Sequence, residues 1–295
     1  MTTFLENNQF GVYAPPAPFP NADAHYDFER LVGRKIPLMS WFSNWSLGMP
    51  KAAEQAAASG HQLMICWLPQ LNGGAPVKFQ DILDGWWDDY ITDFFTAAGR
   101  HPKNVTIRFG HEPNLGLYPW SANHQTACLS AEQYRATWVY LWRLLDRLDL
   151  HPKVQLMWCM ATSDKGGIPM EAYWPGWQYV GKMGIDIYNG HGAKRWWEAR
   201  QLIKPWYDRF LNLGSQPIWI AELGCREPSI DEVSQPADPT QSKGDWMSNL
   251  FALEEFPRIT HTAFFQAVRA NDWRVDSSPA ALRVVREGLA RRYPR

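Results

Sequence analysis

Eight runs with strand character alternate with eight helical ones along this 295-residue chain, and that alternation limits the fold more than anything else in it. The strand-like runs are 9–13, 36–41, 62–67, 105–108, 154–159, 184–188, 217–221 and 259–266. Each is rich in β-branched, aromatic or other apolar residues, and most stop at Gly, Pro or a charged residue. Helices are expected at 21–32, 50–59, 82–98, 131–148, 177–182, 196–213 (interrupted at Pro205), 244–255 and 279–292. Strict alternation of this kind means parallel strands joined by crossover helices. Eight repeats in a chain of this length favour a single closed (β/α)8 barrel, spanning residues 1–295, over an open doubly wound sheet. No G-x-G-x-x-G follows the first strand, which argues against a dinucleotide-binding fold.

The longest loops, 68–80, 113–128, 160–175 and 226–243, all follow strands. In a barrel they gather on the face where active sites form. Trp45, Tyr118, Trp120, Tyr173, Trp174 and Trp273 are expected there too. The chain holds 17 tryptophans. A core prefers Leu, Ile and Val, and an indole N–H needs a partner, so the excess suggests a surface that stacks on flat faces. Sugar rings and nucleobases both offer such faces. A formal net charge of −1 gives no electrostatic footprint for nucleic acid, which leaves sugars. Trp41, Trp67 and Trp120 are the expected platforms.

Little else in the composition narrows the choice. No apolar run is long enough to span a bilayer. The first ten residues have neither a basic n-region nor an apolar h-region, so the chain is expected either to stay inside the cell or to have lost a leader. The spacing of Cys66, Cys128, Cys159 and Cys225 matches no zinc pattern, and a disulfide scaffold is not expected in a chain of this size. Cys66 and Cys159, inside strand-like runs, are expected as buried free thiols.

Two carboxylates carry the chemistry. Glu112 follows strand four in Asn104-Val-Thr-Ile-Arg-Phe-Gly-His-Glu-Pro-Asn114, and Glu222 ends strand seven. Across the mouth of one barrel both can face a single cavity. Two carboxyls there divide into a protonated general acid and an ionised nucleophile when their surroundings push their pKa values apart. Glycoside hydrolysis needs that division, and a separation of about 5–5.5 Å means retention of configuration. Alternation puts Thr106, Arg108, Gly110 and Glu112 on one side of the strand. A buried Arg108 can hold a carboxylate ionised. His111 is expected to hydrogen-bond beside the acid, and the Tyr188 hydroxyl to reach Glu222. Tyr13, at the end of strand one, and Asn114 complete the expected substrate-binding set. His111 has no second His at metal spacing, His101, His124 and His151 read as loop residues, and the first strand has no His-x-His. No metal and no cofactor are therefore expected.

Three segments resemble glycoside hydrolase family 26, the family of β-mannanases and lichenases. Arg108-Phe-Gly-His-Glu-Pro-Asn114 is similar to its R-P-x-H-E-x-N signature. Gly184-Ile-Asp-Ile-Tyr188 is similar to its G-x-D-x-Y strand, and Pro217-Ile-Trp-Ile-Ala-Glu-Leu-Gly224 to its nucleophile strand. Their order covers nearly the whole chain. The resemblance implies a retaining endo-β-glycanase, with Glu112 as acid/base and Glu222 as nucleophile. It further implies that His111 contacts sugar, Tyr188 holds the nucleophile and Arg108 supports the site. The implied substrate is β-1,4-mannan or mixed-linkage β-1,3-1,4-glucan. Phe109 stands where the family usually has Pro, Pro113 where it often has Met, and strand eight ends Phe264-Phe265-Gln266 without the Trp expected of mannanases. The rival expectations are a hydrolase of bacterial exopolysaccharide, a non-catalytic sugar-binding barrel and a metal-dependent barrel hydrolase. The protein is expected to act as a monomer on polysaccharide or oligosaccharide.

Overall fold

Eight parallel strands close into a barrel in which each strand pairs with its sequence neighbours and the first with the last. The structure is a computed structural model and describes residues 2–16, 22–49, 52–190, 196–229 and 242–294. The strands are β1 (Gln9–Tyr13), β2 (Leu38–Asn44), β3 (Gln62–Leu68), β4 (Val105–Phe109), β5 (Val154–Ala161), β6 (Lys182–Asn189), β7 (Ile218–Cys225) and β8 (Ile259–Phe265). The (β/α)8 architecture read from the alternation is therefore the observed one. Several strands run two to four residues further toward the active face than their apolar runs suggested.

The helices are α1 (Phe4–Asn7), α2 (Asp23–Val32), α3 (Ala52–Ala58), α4 (Phe79–Leu83), α5 (Asp88–Gly99), α6 (Ala131–Arg147), α7 (Ala199–Leu211), α8 (Lys243–Ala252) and α9 (Pro279–Arg292). Their starts follow local chemistry. Ser130, Ser242 and Ser278 cap α6, α8 and α9 by accepting the N–H three residues on. Pro279 sits at the first position of α9, where its missing N–H has no intrahelical partner to lose.

Three helix expectations are corrected. The run 82–98 is not one helix. Gly85, with φ +82°, turns the chain between α4 and α5, a conformation that other residues adopt only with strain. Pro205 does not interrupt α7, which passes through it; Ile203, Trp206, Tyr207 and Phe210 bury that helix's inner face and outweigh one lost hydrogen bond. The crossover from β5 to β6 carries only 3-10 turns, Met170–Tyr173 and Trp177–Tyr179. Of the expected loop 226–243, residues 230–241 lie outside the described residues, as do the expected helix starts at 21 and 50.

Alternation divides the side chains as a filled barrel requires. Leu38, Met64, Met157, Cys159, Trp219, Ala221 and Ala263 pack inside. Val105, Ile107 and Phe109 face the helices, so Thr106 and Arg108 point inward as expected. The tryptophans did not go where their number suggested. Trp41, Trp45, Trp67, Trp120, Trp138, Trp158, Trp206 and Trp246 are essentially fully buried. Trp67 stacks between Trp45 and Phe94 and donates its N–H to Tyr90 Oη at 3.2 Å. These indoles belong to the hydrophobic core. Cys66 and Cys159 are free and buried, as expected, and so are Cys128 and Cys225. Among the described residues no helix is long and apolar enough to cross a membrane.

Candidate active site

A cavity of about 500 Å³ opens at the C-terminal end of the strands. Glu112, Glu222, Asp186, His111, Tyr188 and Tyr13 all line it. Two backbone irregularities bring the acids there. β4 ends at Phe109, after which Gly110 (φ +48°) and Glu112 (φ +51°) both take left-handed conformations. Glu112 thus reaches the cavity through a turn and not by continuing the strand's alternation. Its N–H is fixed by the carbonyl of Cys159 at 2.9 Å, and its carbonyl accepts from Leu115 N at 3.1 Å. A non-glycine residue held there carries strain of order 1 kcal/mol, a pattern concentrated at functional sites.

Glu222 needs a different device. Trp219 and Ala221 point into the barrel, so strict alternation would turn Glu222 outward. The pairing of β6 with β7 slips instead: Ile185 faces Ile220, but Asp186 faces Glu222. The extra residue, Ala221, makes a bulge that aims two successive side chains inward.

Beneath the cavity Arg108 is fully enclosed. Its Nη1 donates to Asp186 Oδ1 at 2.6 Å and its Nη2 to Glu222 Oε1. Tyr188 Oη donates to the other Glu222 oxygen. The nucleophile candidate is therefore clamped at both oxygens. On the opposite side Tyr118 Oη donates to Glu112 Oε2 at 3.3 Å, and the Tyr118 ring lies flat on Trp120 with centroids 4.7 Å apart. His111 Nδ1 lies 3.3 Å from Cys66 Sγ, and its carbonyl accepts from Trp120 Nε1 at 2.7 Å.

The charges are unbalanced. Three carboxyls surround one guanidinium, and His111 is driven well toward its neutral form by burial and by Arg108. Burial, then the charge of Glu222, pushes the Glu112 carboxyl up to about 8. It holds its proton at neutral pH, as a general acid must. The sign of the linked stability effect is definite. The folded protein keeps a proton at Glu112 that the unfolded chain releases near 4.5, so this contribution is complete below that pH and is lost as pH rises through about 8. Glu112→Gln, which cannot ionise, is expected to melt higher than the parent at pH 9. The difference should vanish near pH 4 in the same thermal scans.

The expected substrate-binding residues separate into three groups. Tyr13, His111 and Tyr188 line the cavity. Arg108 does not, but it holds two of the carboxylates that do. Trp41, Trp67, Trp120 and Asn114 do not line it either. The platform role expected of the three indoles is therefore corrected: Trp41 and Trp67 sit in the core, and Trp120 backs Tyr118. Asn114 is wholly buried and ties two loops together. Its Nδ2 donates to Ala161 O at 3.0 Å and Asp164 Oδ1 at 2.9 Å, and its Oδ1 accepts from Ala161 N at 3.0 Å. Asn114→Ala leaves those groups unpaired and is expected to cost about 2 kcal/mol, or roughly 5 °C in melting temperature.

Of the other aromatics that line the cavity, Tyr118 and Trp273 are among those expected on this face, and Phe42 and Phe265 are not. The Trp273 ring lies 4.9 Å from that of Tyr188. Trp273 reaches in from the loop after β8 and supplies an indole beside the strand end that lacks one. Asp186 was also missed as a site residue. Its signal was present: an acid two positions before Tyr188 in a run otherwise fit for burial.

His111, Glu112 and Asp186 could also offer three ligand atoms to a metal, all within 4.8 Å of one another. The Arg108 guanidinium already contacts Asp186 and Glu222, and its charge opposes a second cation there.

No protein-family model matches the chain. Endoglucanase H of Acetivibrio thermocellus is 26% identical over 282 residues, covering 92% of this chain but 29% of that protein. The chain thus spans under a third of that relative's length. Among solved structures, the YdhT protein of Bacillus subtilis matches with a TM-score of 0.65 at 13% identity, covering 95% of this chain and 84% of that one. The catalytic domain of a family 26 endo-β-1,4-mannanase from Bacillus sp. JAMB-750 matches with a TM-score of 0.63 at 16% identity, covering 96% and 87%. At these identities the likeness to solved structures is one of fold. The resemblance to glycoside hydrolase family 26 read from the three motifs agrees with these relatives.

Proposed function

We propose that this chain is a glycoside hydrolase, a retaining endo-β-glycanase, with Glu112 as acid/base and Glu222 as nucleophile. One observation carries the reading: both carboxyls line one cavity, and one of them is pushed up to about 8 while the other is clamped by Arg108 and Tyr188. That is the pairing of environments that divides two carboxyls into acid and nucleophile.

In the first step Glu112 gives its proton to the glycosidic oxygen as a Glu222 oxygen attacks the anomeric carbon. The C–O bond to the leaving sugar breaks and a glycosyl ester forms on Glu222. In the second step Glu112, now a carboxylate, takes a proton from water. The water oxygen attacks the same carbon and Glu222 leaves. Two inversions return the original configuration. Arg108 and Tyr188 hold the attacking carboxylate in one orientation, so little freedom is lost on reaching the transition state. Tyr13, Phe42, Phe265 and Trp273 offer the aromatic faces on which sugar rings stack. No step calls for a cofactor.

The names of the similar proteins, an endoglucanase and a β-1,4-mannanase, support a β-glucan or β-1,4-mannan as substrate. Mixed-linkage glucan is what the motif resemblance implies, and bacterial exopolysaccharide is the alternative. The test is a panel of mannan, glucomannan, mixed-linkage glucan, xylan and exopolysaccharides with product sizing. The proposal expects oligosaccharides of intermediate length from one or two members. A panel with no new reducing ends would leave only a sugar-binding barrel. The raised Glu112 also sets the upper limb of the pH profile. On the productive substrate kcat/KM should fall tenfold per pH unit above about 8.

A further inference from the structure

A second cluster of ligating side chains lies outside the cavity. His25 and Glu29 stand one turn apart on α2, and His61 belongs to the turn that leads into β3. The two imidazoles are 1% and 2% exposed. Glu29 Oε1 lies 2.9 Å from His61 Nε2 and 3.5 Å from His25 Nε2, and the two rings approach edge to face at 4.7 Å. One donor atom from each residue falls within 4.8 Å of the others. The catalytic scheme uses none of them.

The hydrogen bonding here is incomplete. His25 Nδ1 is buried with no hydrogen-bond partner, and the buried Nε2 meets only Glu29 Oε1, at a long 3.5 Å. A buried imidazole left in that state is costly, and such groups often mark a missing ion or water. Glu29 Oε1, by contrast, is crowded: besides the two imidazoles it accepts the Ile36 N–H at 2.9 Å. A cation at the centre would account for both features. A tetrahedral ion with bonds of about 2.0–2.1 Å sets its ligand atoms roughly 3.3 Å apart, and the two separations measured from Glu29 bracket that value. The Ile36 amide would orient the ligating carboxylate from behind.

We propose that His25, Glu29 and His61 form a zinc-binding site. Two nitrogens and one carboxylate oxygen suit zinc better than calcium or magnesium, which prefer all-oxygen shells. The site joins α2 to the residues entering β2 and β3. It therefore lies at the N-terminal end of the barrel, where binding residues serve stability and not catalysis. A bound ion would tie α2 to the turn that enters β3, with water completing its coordination.

The experiment uses the full chain, stripped with chelator and dialysed. Zinc chloride is titrated by calorimetry, and thermal unfolding is followed at each concentration. The proposal expects one zinc per chain and a rise in melting temperature of roughly 5 °C at a hundredfold excess over the dissociation constant. Glu29→Gln, close in shape, should bind at least tenfold more weakly, whereas Glu112→Gln in the catalytic cavity should bind as the parent does. Cobalt(II) in the wild-type protein should give the intense visible bands of a tetrahedral N/O site, a readout that needs no variant to fold. Failure of the stripped protein to take up zinc would overturn the assignment. So would unchanged binding in Glu29→Gln, or loss of binding in Glu112→Gln.

Discussion

Glu222→Ala is expected to lower turnover on the productive polysaccharide by at least about 10⁴-fold, because no other group can form the covalent intermediate. The fold should survive, since Arg108 keeps its 2.6 Å bond to Asp186. Azide, small and anionic, fits the space the carboxylate vacates and attacks the anomeric carbon while Glu112 protonates the leaving oxygen. Activity should recover in part, and the product should be a glycosyl azide of inverted configuration. Glu222→Gln fills that space and should respond far less to azide. Wild-type turnover in either variant, by reducing-end release, would remove Glu222 from the mechanism.

Arg108→Met is expected to be the most destabilising single change in the site. It leaves Asp186 and Glu222 in a buried site without their cation, and losing one partner of such a pair costs about 3–5 kcal/mol. For a chain of this size that is roughly 10 °C in melting temperature. Adding Asp186→Asn removes one stranded charge, and the double variant should recover a measurable part of the loss. Arg108→Lys should not restore activity, because one ammonium cannot reproduce a planar fork that reaches two carboxylates. Urea midpoints for the three variants decide the matter. An Arg108→Met protein as stable as its parent would mean that Asp186 and Glu222 do not depend on the guanidinium as described.

The sequence made the barrel legible because its signals are local. A β-branched run, a Ser cap or a Pro at a helix start is decided by a few neighbours. The same locality exposed the proposed catalytic pair, since Glu112 and Glu222 each follow a strand-like run. Legibility ended where position depends on a partner strand. The bulge that turns Glu222 inward is a slip between β6 and β7, and no pattern within 217–224 announces it. Glu112 was assigned to the right cavity by continuing an alternation that stops at Phe109; two left-handed residues do the work instead. The tryptophans misled for a related reason. Their number suggested stacking surfaces, but an indole at a strand position such as Trp41 or Trp67 faces the helices as readily as the cleft, and residue type does not tell the two sides apart. The indole that does line the cavity, Trp273, lies in a loop whose path only the closed barrel fixes. The unequal roles proposed for the two acids came from the motif resemblance alone, and their physical ground was out of reach. Burial of Glu112 and the single cation shared by Asp186 and Glu222 are properties of the assembled site.

The central claim is that Glu112 and Glu222 act in two successive displacements at one anomeric carbon. Proton NMR of the earliest products, recorded before mutarotation, tests it most directly. A β-linked oligosaccharide of the productive type should give the β anomer first, with the α signal growing in only as the sugar equilibrates. Appearance of the α anomer first would mean a single displacement by water, and would contradict the nucleophilic role of Glu222.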